Sequence, residues 1–142
     1  MTTKFEKTGQ TKAHLAKATQ YYLHPENRPK VHPNFVKDSK VLSSEGDTMT
    51  IEEHTHIMGR NLRAVSKMTL NRATNTFDIQ LLEGDGKGST ITIALKAVPT
   101  GTEMHYAANM ELGALGFIAK SPARKTFENT VDEDAKAMDA LP

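Results

Sequence analysis

The sequence predicts an α+β fold in which a curved antiparallel sheet of about seven strands wraps around a long C-terminal helix. Two patterns carry this prediction. Beyond Asn34, apolar residues recur with a period of two for about eighty residues, and turn-forming residues interrupt the pattern at intervals. From Ser121 onward the period becomes helical, with charged residues on the opposite face. The 142 residues fit a single domain, 1–142.

Short elements are predicted before the main run of strands. Thr3–Thr8 predicts a first strand in which Phe5 is the only large apolar side chain. Lys12–Leu23 predicts an amphipathic helix capped by Thr11. Prolines at positions 25, 29 and 33 then permit at most one helical turn and a tightly bent connection. The expected order is therefore strand, two short helices, six strands and a helix.

Five turns divide the six strands that begin at Phe35. They are predicted at Glu45–Asp47, Gly59–Arg60, Ala73–Asn75, Gly84–Gly88 and Pro99–Gly101. Pairing the strands around the last four turns places apolar residues on one face each time, which supports the register because a one-residue slip would reverse every side chain. The expected pairs include Ile57–Leu62, Leu70–Phe77, Ile79–Ile93 and Leu95–Tyr106. The first hairpin leaves open whether Val41 or Leu42 points inward.

The last helix is predicted to begin at an N-cap, Ser121, followed by Pro122 at its first position. One stripe carries Phe127, Val131, Asp134 or Ala135, and Met138. Gly113–Gly116 would bend the chain between the last strand and this helix.

The predicted inner face of the sheet is apolar but contains polar and small residues. Glu53, Thr55 and Ser66 are groups that a dry core rarely accepts unpaired. An apolar concavity with a few convergent polar groups is typical of a small-molecule site. The alternative is that the strands pack tightly on the helix and Glu53 lies in water at an open end. The predicted ligand-binding residues are Met49, Ile51, Glu53, Thr55, Ser66, Met68, Phe77, Ile79, Ile93, Met104, Tyr106, Ala108, Met110, Phe127 and Val131.

Glu53 and Tyr106 are also the candidates for an acid–base pair in a water-poor cavity. The alternative is a buried carboxyl that orients a polar ligand or bonds to Ser66 or Tyr106. Catalytic residues beyond these two are unknown, because no serine, histidine and aspartate can be assembled in order.

Two other motifs favour structural interpretations. His54 and His56 share a face, as zinc ligands would, but they point outward with Arg63 expected opposite His56, and Glu52 would pair with Lys67. Gly84–Ser89 resembles a phosphate loop but fits neither phosphate-binding spacing, and a strand follows it. We therefore expect no metal and no cofactor.

Composition restricts the partners. The 18 Lys and Arg residues nearly balance 17 Asp and Glu residues, giving a net charge of +1 with no basic block, which argues against a general nucleic-acid binder. There is no cysteine, no apolar run approaches a membrane span, and Met1–Phe5 does not open a signal peptide. We expect a cytoplasmic protein, a monomer or weak dimer, with no integral membrane association. The seven methionines favour a surface that adapts to varied apolar shapes.

Several stretches together resemble the START-like helix-grip (SRPBCC) superfamily, in particular small proteins of the polyketide cyclase/dehydrase and lipid transport type. They are His24–Asn27, Pro29–Pro33, Val41–His54, Leu82–Ser89, Val98–Thr102 and the closing helix to Leu141. The resemblance implies a sheet wrapped around the long helix with an apolar ligand between them. Members carry lipids, sterols, quinones or hormones, and some catalyse aromatic cyclisation. The superfamily has no single catalytic motif, so no catalytic residue is carried over.

The expected function is binding of a small hydrophobic or amphipathic ligand, lipid-like, polyketide-like or isoprenoid-like, in a cavity between sheet and helix. The face with Phe127, Val131 and Met138 would form one wall, and Tyr21 or Tyr22 would guard the entrance. One alternative is a cyclase or dehydratase that uses the polar cavity residues as acid and base. Another is a protein-interaction module whose cavity is vestigial.

Overall fold

The computed structural model describes residues 2–113 and 116–142, with side chains from residue 119 onward in the second range. The strands are β1 (Thr2–Thr11), β2 (Val36–Glu45), β3 (Thr48–Ile57), β4 (Arg60–Asn71), β5 (Thr76–Gly84), β6 (Thr90–Val98) and β7 (Gly101–Glu111). The helices are α1 (Leu15–Tyr22), α2 (Arg28–Val31) and α3 (Gly116–Asp139), and a 3₁₀ turn (Pro25–Asn27) precedes α2. The strands form one antiparallel sheet in the order β1-β7-β6-β5-β4-β3-β2. This architecture confirms the predicted α+β fold with its C-terminal helix.

The predicted face of each hairpin is correct, but three of the four registers are wrong by two residues. Leu70 pairs with Phe77 as expected. Leu62, however, pairs with Thr55 rather than Ile57. Similarly, Ile79 pairs with Ile91, and Leu95 pairs with Met104. A shift of two residues preserves the side-chain face, which explains why the alternation identified the inner surface without fixing the partners.

The turn between β3 and β4 shows the physical cause of one such shift. Its central residues are Met58 and Gly59, with φ of 57° and 74°. Two consecutive positive φ values are typical of a type I′ turn, which matches the twist of the flanking strands. The expected turn at Gly59–Arg60 is therefore displaced by one residue.

A β-bulge in the first hairpin determines which of Val41 and Leu42 points inward. The register between β2 and β3 shifts between Val41 and Ser43, so Leu42 is the extra residue. Val41 lies opposite the buried Ile51, whereas Leu42 is exposed. Val41 is thus the inward residue of the two.

Both predicted helix caps are wrong. Helix α1 begins at Leu15, and Thr11 ends β1 instead, where its hydroxyl donates to Asp139 Oδ1 at 2.7 Å. Helix α3 begins at Gly116, so Pro122 lies within the helix. A proline there removes one backbone hydrogen bond without ending the helix. Gly113 has the positive φ of a bend, and residues 114 and 115 of the expected bend lie outside the described residues.

The inner stripe of α3 is as predicted, and β1 lies directly beneath it. Val131, Asp134 and Met138 are buried. Gly9 of β1 permits the close approach, because a Cβ atom at this position would lie 3.0 Å from Val131 Cγ1 and 3.2 Å from Met104 Cε. The absence of a side chain at Gly9 thus sets the spacing between α3 and the sheet.

We expect Gly9→Val to lower the free energy of unfolding by about 1–3 kcal/mol, because the added methyl groups would push α3 from the sheet. Urea denaturation would measure the loss. Gln10→Val is the matched control, since Gln10 is exposed on the same strand, and its effect should stay within about 0.5 kcal/mol. Equal effects of the two variants would contradict the tight contact.

Candidate functional site

The inner face of the sheet divides into a closed end and an open end. At the closed end the inward residues are buried in one cluster, which includes Leu70, Phe77, Ile93, Leu95, Met104 and Tyr106. At the open end the inward residues remain partly exposed, and they are Thr55, Ile57, Leu62, Ala64, Ser66, Ile79, Leu81, Ile91 and Met110. The open end is therefore an apolar surface that the protein does not fully cover.

Helix α3 shows the same division along its length. Its C-terminal half contributes the buried Val131 and Met138 to the closed end. Its N-terminal half carries small residues at helical spacing on the partly buried side, namely Ala119, Ala123 and Thr126. Phe127 follows them and stacks on Phe5 of β1, with ring centroids 5.6 Å apart.

A groove of about 310 Å³ lies where the β3–β4 hairpin approaches α3. We call it the mouth groove. The chain before β2 and the hairpin supply Asn34, Phe35, His56, Ile57 and Met58, and α3 supplies Pro122, Lys125, Thr126, Asn129 and Glu133. Ile57 also belongs to the inner face of β3. The mouth groove therefore adjoins the open end of the sheet at this residue.

A buried carboxylate organises the polar groups between α3, the first helices and the sheet. Asp134 is 3% exposed. Its Oδ1 accepts a hydrogen bond from the Tyr21 hydroxyl at 2.5 Å and lies 3.0 Å from His32 Nε2. Its Oδ2 accepts from the Tyr106 hydroxyl at 2.6 Å, and the Tyr22 hydroxyl in turn donates to Tyr106 at 2.5 Å. We call this set the Asp134 network.

His32 extends the Asp134 network to the mouth groove. Its ring is fully buried, and its Nδ1 lies 2.9 Å from Oε1 of Glu133, whose side chain is partly exposed in the groove. With a carboxylate at each ring nitrogen, both N–H groups of an imidazolium would find an acceptor. The ring therefore bridges two consecutive acids of α3.

The tyrosines of the network are held as neutral hydrogen-bond donors. Burial raises the pKa of the Tyr21 phenol, and the nearby Asp134 carboxylate raises it further. The same two causes hold the pKa values of Tyr22 and Tyr106 well above the ordinary value. These phenols are thus suited to donating hydrogen bonds and unsuited to acting as bases near neutral pH.

An ion pair stands beside the network. Arg28 Nε donates to Glu53 Oε2 at 2.6 Å, and Arg28 Nη2 donates to Glu53 Oε1 at 3.1 Å. Burial lowers the pKa of Arg28, but Glu53 and Asp134 raise it more, so the guanidinium stays charged. Ser39 lies opposite Glu53 on β2, and its Oγ is buried with no hydrogen-bond partner among the described residues.

The predicted ligand-binding residues fall in both halves of the inner face. Buried ones are Ile51, Met68, Phe77, Ile93, Met104, Tyr106, Ala108 and Val131. Partly exposed ones are Met49, Glu53, Thr55, Ser66, Ile79, Met110 and Phe127. Only the second group offers surface to a ligand without rearrangement of the core.

The structure does not bring the two acid–base candidates together. Glu53 bonds to Arg28, whereas Tyr106 bonds to Tyr22 and Asp134. Neither Ser66 nor Tyr106 is a hydrogen-bond partner of Glu53. Of the two residues expected at the entrance, Tyr22 is buried and Tyr21 is partly exposed.

Sequence reasoning missed Arg28 and His32, and it placed Asp134 on the inner stripe of α3 without giving it partners. A carboxylate on an otherwise apolar helix face was the available signal, because a buried charge requires hydrogen-bond donors. The only tyrosines of the chain are the three in the network. Their positions on α1 and the inner face of β7 were consistent with that need.

The outward motifs have the structural contacts expected of a surface, with different partners. Arg63 lies opposite His54 rather than His56, and it bonds to Glu52, which was expected to pair with Lys67. The Gly84–Ser89 segment forms the β5–β6 connection, in which the Ser89 amide donates to the Gly86 carbonyl. Over residues 2–113 and 116–142, no helix is long and apolar enough to cross a bilayer.

Solved structures share this architecture over almost the whole chain. A START superfamily protein from Mycobacterium smegmatis has a TM-score of 0.84 at 18% identity, covering 98% of this chain and 99% of that chain. The chain has the START-like helix-grip fold. This confirms the resemblance in fold, including the long helix held by the sheet.

Two further solved structures, of differently named proteins, share the same fold. The Zhui aromatase/cyclase from Streptomyces sp. R1128 has a TM-score of 0.74 at 13% identity, covering 98% of this chain and 90% of that chain. A major latex-like protein from Panax ginseng has a TM-score of 0.75 at 11% identity, covering 100% and 99%. No protein-family model matches the chain, and no curated protein matches it in sequence. Identities this low establish the fold alone.

We expect none of the three tyrosines to ionise in the native protein near pH 10, where an unfolded phenol is half ionised. The folded phenols hold their protons more tightly than the unfolded ones. Their contribution to the free energy of unfolding is therefore complete below about pH 10 and is lost as the pH rises further. Absorbance at 295 nm should therefore rise only when the protein unfolds. The chain has no tryptophan, so the signal reports the network alone.

The control for this titration is the protein unfolded in urea, which should titrate near pH 10. A native protein with one or more phenols that ionise at that pH while circular dichroism stays unchanged would contradict the buried network.

Proposed function

We propose that the protein binds a small hydrophobic or amphipathic ligand between the open end of the sheet and the N-terminal half of α3. The observation that carries the proposal is the partial exposure of inward apolar residues such as Leu62, Leu81 and Ile91, next to a core that is fully packed. Contiguous exposed apolar surface that faces inward is typical of ligand-binding grooves.

The driving force for binding would be the removal of this apolar surface from water. Covering apolar area contributes about 25 cal/mol per Å². A ligand that covers ~200 Å² of the open end would gain roughly 5 kcal/mol before the entropic costs of association. Such a ligand contains of the order of ten to twenty non-hydrogen atoms, which fits a lipid-like, polyketide-like or isoprenoid-like molecule.

The polar groups near the open end would orient the ligand. Glu53 occupies two of the three guanidinium nitrogens of Arg28, while Nη1 has no partner among the described residues. Arg28 and Glu53 are both partly exposed. We expect an oxygen of the ligand to accept from this free nitrogen, with the Asp134 network as the fixed wall behind it.

One structural neighbour is an aromatase/cyclase, so an enzymatic function is the alternative to ligand binding. The acid–base alternative needs Glu53 and Tyr106 on one substrate. Their separate contacts, with Arg28 and with Asp134, favour binding over cyclisation. The interaction-module alternative would use the large exposed apolar side chains, which are Leu42, Met58, Leu82 and Leu141 on different parts of the chain.

We expect Ala64→Phe to weaken binding of the neutral fluorophore N-phenyl-1-naphthylamine by at least about tenfold, a loss of about 1.4 kcal/mol. Ala64 is partly exposed on the inner face of β4, so a phenyl ring there would occupy the site. Fluorescence titration measures the change.

Ala94→Phe is the matched control, because Ala94 lies between the inward residues Ile93 and Leu95 and therefore points outward. It should bind the fluorophore as the wild type does. The proposal fails if the wild type does not bind the fluorophore, or if both variants bind it equally well while folded.

A further inference from the structure

We infer that the mouth groove recognises an acidic group on the ligand, so that the natural ligand is an anionic amphiphile with its acid at the entrance. This rests on the proposed function and adds the chemical class of the ligand. The charges of α3 are unevenly distributed, and the groove contains polar side chains without a partner among the described residues.

Helix α3 separates its charges along its length. The N-terminal half carries Lys120, Arg124 and Lys125, and its first acidic residue is Glu128. Of these three cations only Lys125 lines the mouth groove, whereas Arg124 lies over the Phe5 ring of β1, 5.2 Å from its centroid. Lys125 is therefore the cation that an acidic group in the groove would meet.

The groove contains unpaired donors at its outer end. Lys125 has no ion-pair partner among the residues that the structure describes. The Asn129 amide is likewise without a hydrogen-bond partner there, whereas the Nδ1 of His56 lies 2.8 Å from Asn61 Oδ1. An anionic oxygen at this end would find the Lys125 ammonium and the Asn129 amide without displacing an existing contact.

The inner end of the groove disfavours an acidic group. Glu133 is its acid, and it is already engaged by His32. It follows Lys125 by eight residues, or about 12 Å along the helix axis. An acidic group is thus favoured at the Lys125 end and repelled at the Glu133 end, which fixes the direction in which the ligand lies.

The opposite wall is apolar and would contact the carbon skeleton next to the acid. Phe35, Ile57 and Met58 form it, and Met58 is 52% exposed. From Ile57 the inner face continues to Thr55 and Leu62. A chain or ring system that begins at Lys125 can therefore run from the mouth groove into the open end of the sheet.

The test compares two probes that differ only at the head, decanoate and 1-decanol, by displacement of N-phenyl-1-naphthylamine at low ionic strength. We expect the wild type to bind decanoate about five- to tenfold more tightly, as one partly desolvated charge pair allows. Lys125→Gln should abolish this preference while binding 1-decanol normally, and Lys125→Arg should retain it. Lys136→Gln, an exposed change on the same helix, should leave the preference intact.

The outcomes separate this inference from the proposed function. Equal binding of the two probes by the wild type would overturn the acid-recognition site and leave ligand binding in place. Failure of both probes to bind would overturn the proposed function itself. Lys125-dependent binding to vesicles containing phosphatidylglycerol, without preference for free decanoate, would also contradict the inference, because the groove would then recognise a lipid headgroup at a membrane.

Discussion

The buried carboxylate of Asp134 holds together segments that are far apart in the sequence. Tyr21 from α1, His32 from the end of α2 and Tyr106 from β7 all direct a polar hydrogen or ring nitrogen at it. Desolvation of such a charge costs several kcal/mol, and only a nearly complete set of donors offsets it. Because every donor must be in place together, the carboxylate fixes α3 against the amino-terminal helices at one end of the sheet.

Fixing one end of α3 is what allows the other end to remain open. The C-terminal half of the helix is packed by Val131 and Met138 and by the close approach over Gly9. The N-terminal half carries the small residues Ala119, Ala123 and Thr126 beside Phe127, and the inward apolar positions at the open end of the sheet stay partly exposed. Packing a helix along its whole length would have removed this surface. The closed end is thus buried, whereas the open end keeps apolar surface that is partly exposed.

The sequence predicted the order of elements and the inner face of the sheet, because a period of two survives an error in the turn. It did not predict the register at Met58–Gly59, since choosing between neighbouring two-residue turns depends on backbone dihedral angles that alternation does not encode. It also placed the start of α3 at Ser121, because a serine followed by proline is typical of an N-cap and the helical residues before it have no strong pattern. The apolar residues of the candidate site could largely be predicted from the alternation of apolar and polar residues along the strands. The polar part was not, since Arg28 and His32 lie in an irregular proline-containing segment whose side-chain directions no period describes.

Methionine methyl NMR can show whether a ligand binds at the open end of the sheet. The chain has methionines at both ends, since Met110 is partly exposed on the inner face at the open end and Met138 is buried at the closed end. With ¹³C-methyl-labelled protein, addition of N-phenyl-1-naphthylamine should shift the Met110 signal and leave the Met138 signal in place. A shift of Met138 without one of Met110, or no shift of either at saturating probe, would contradict the account.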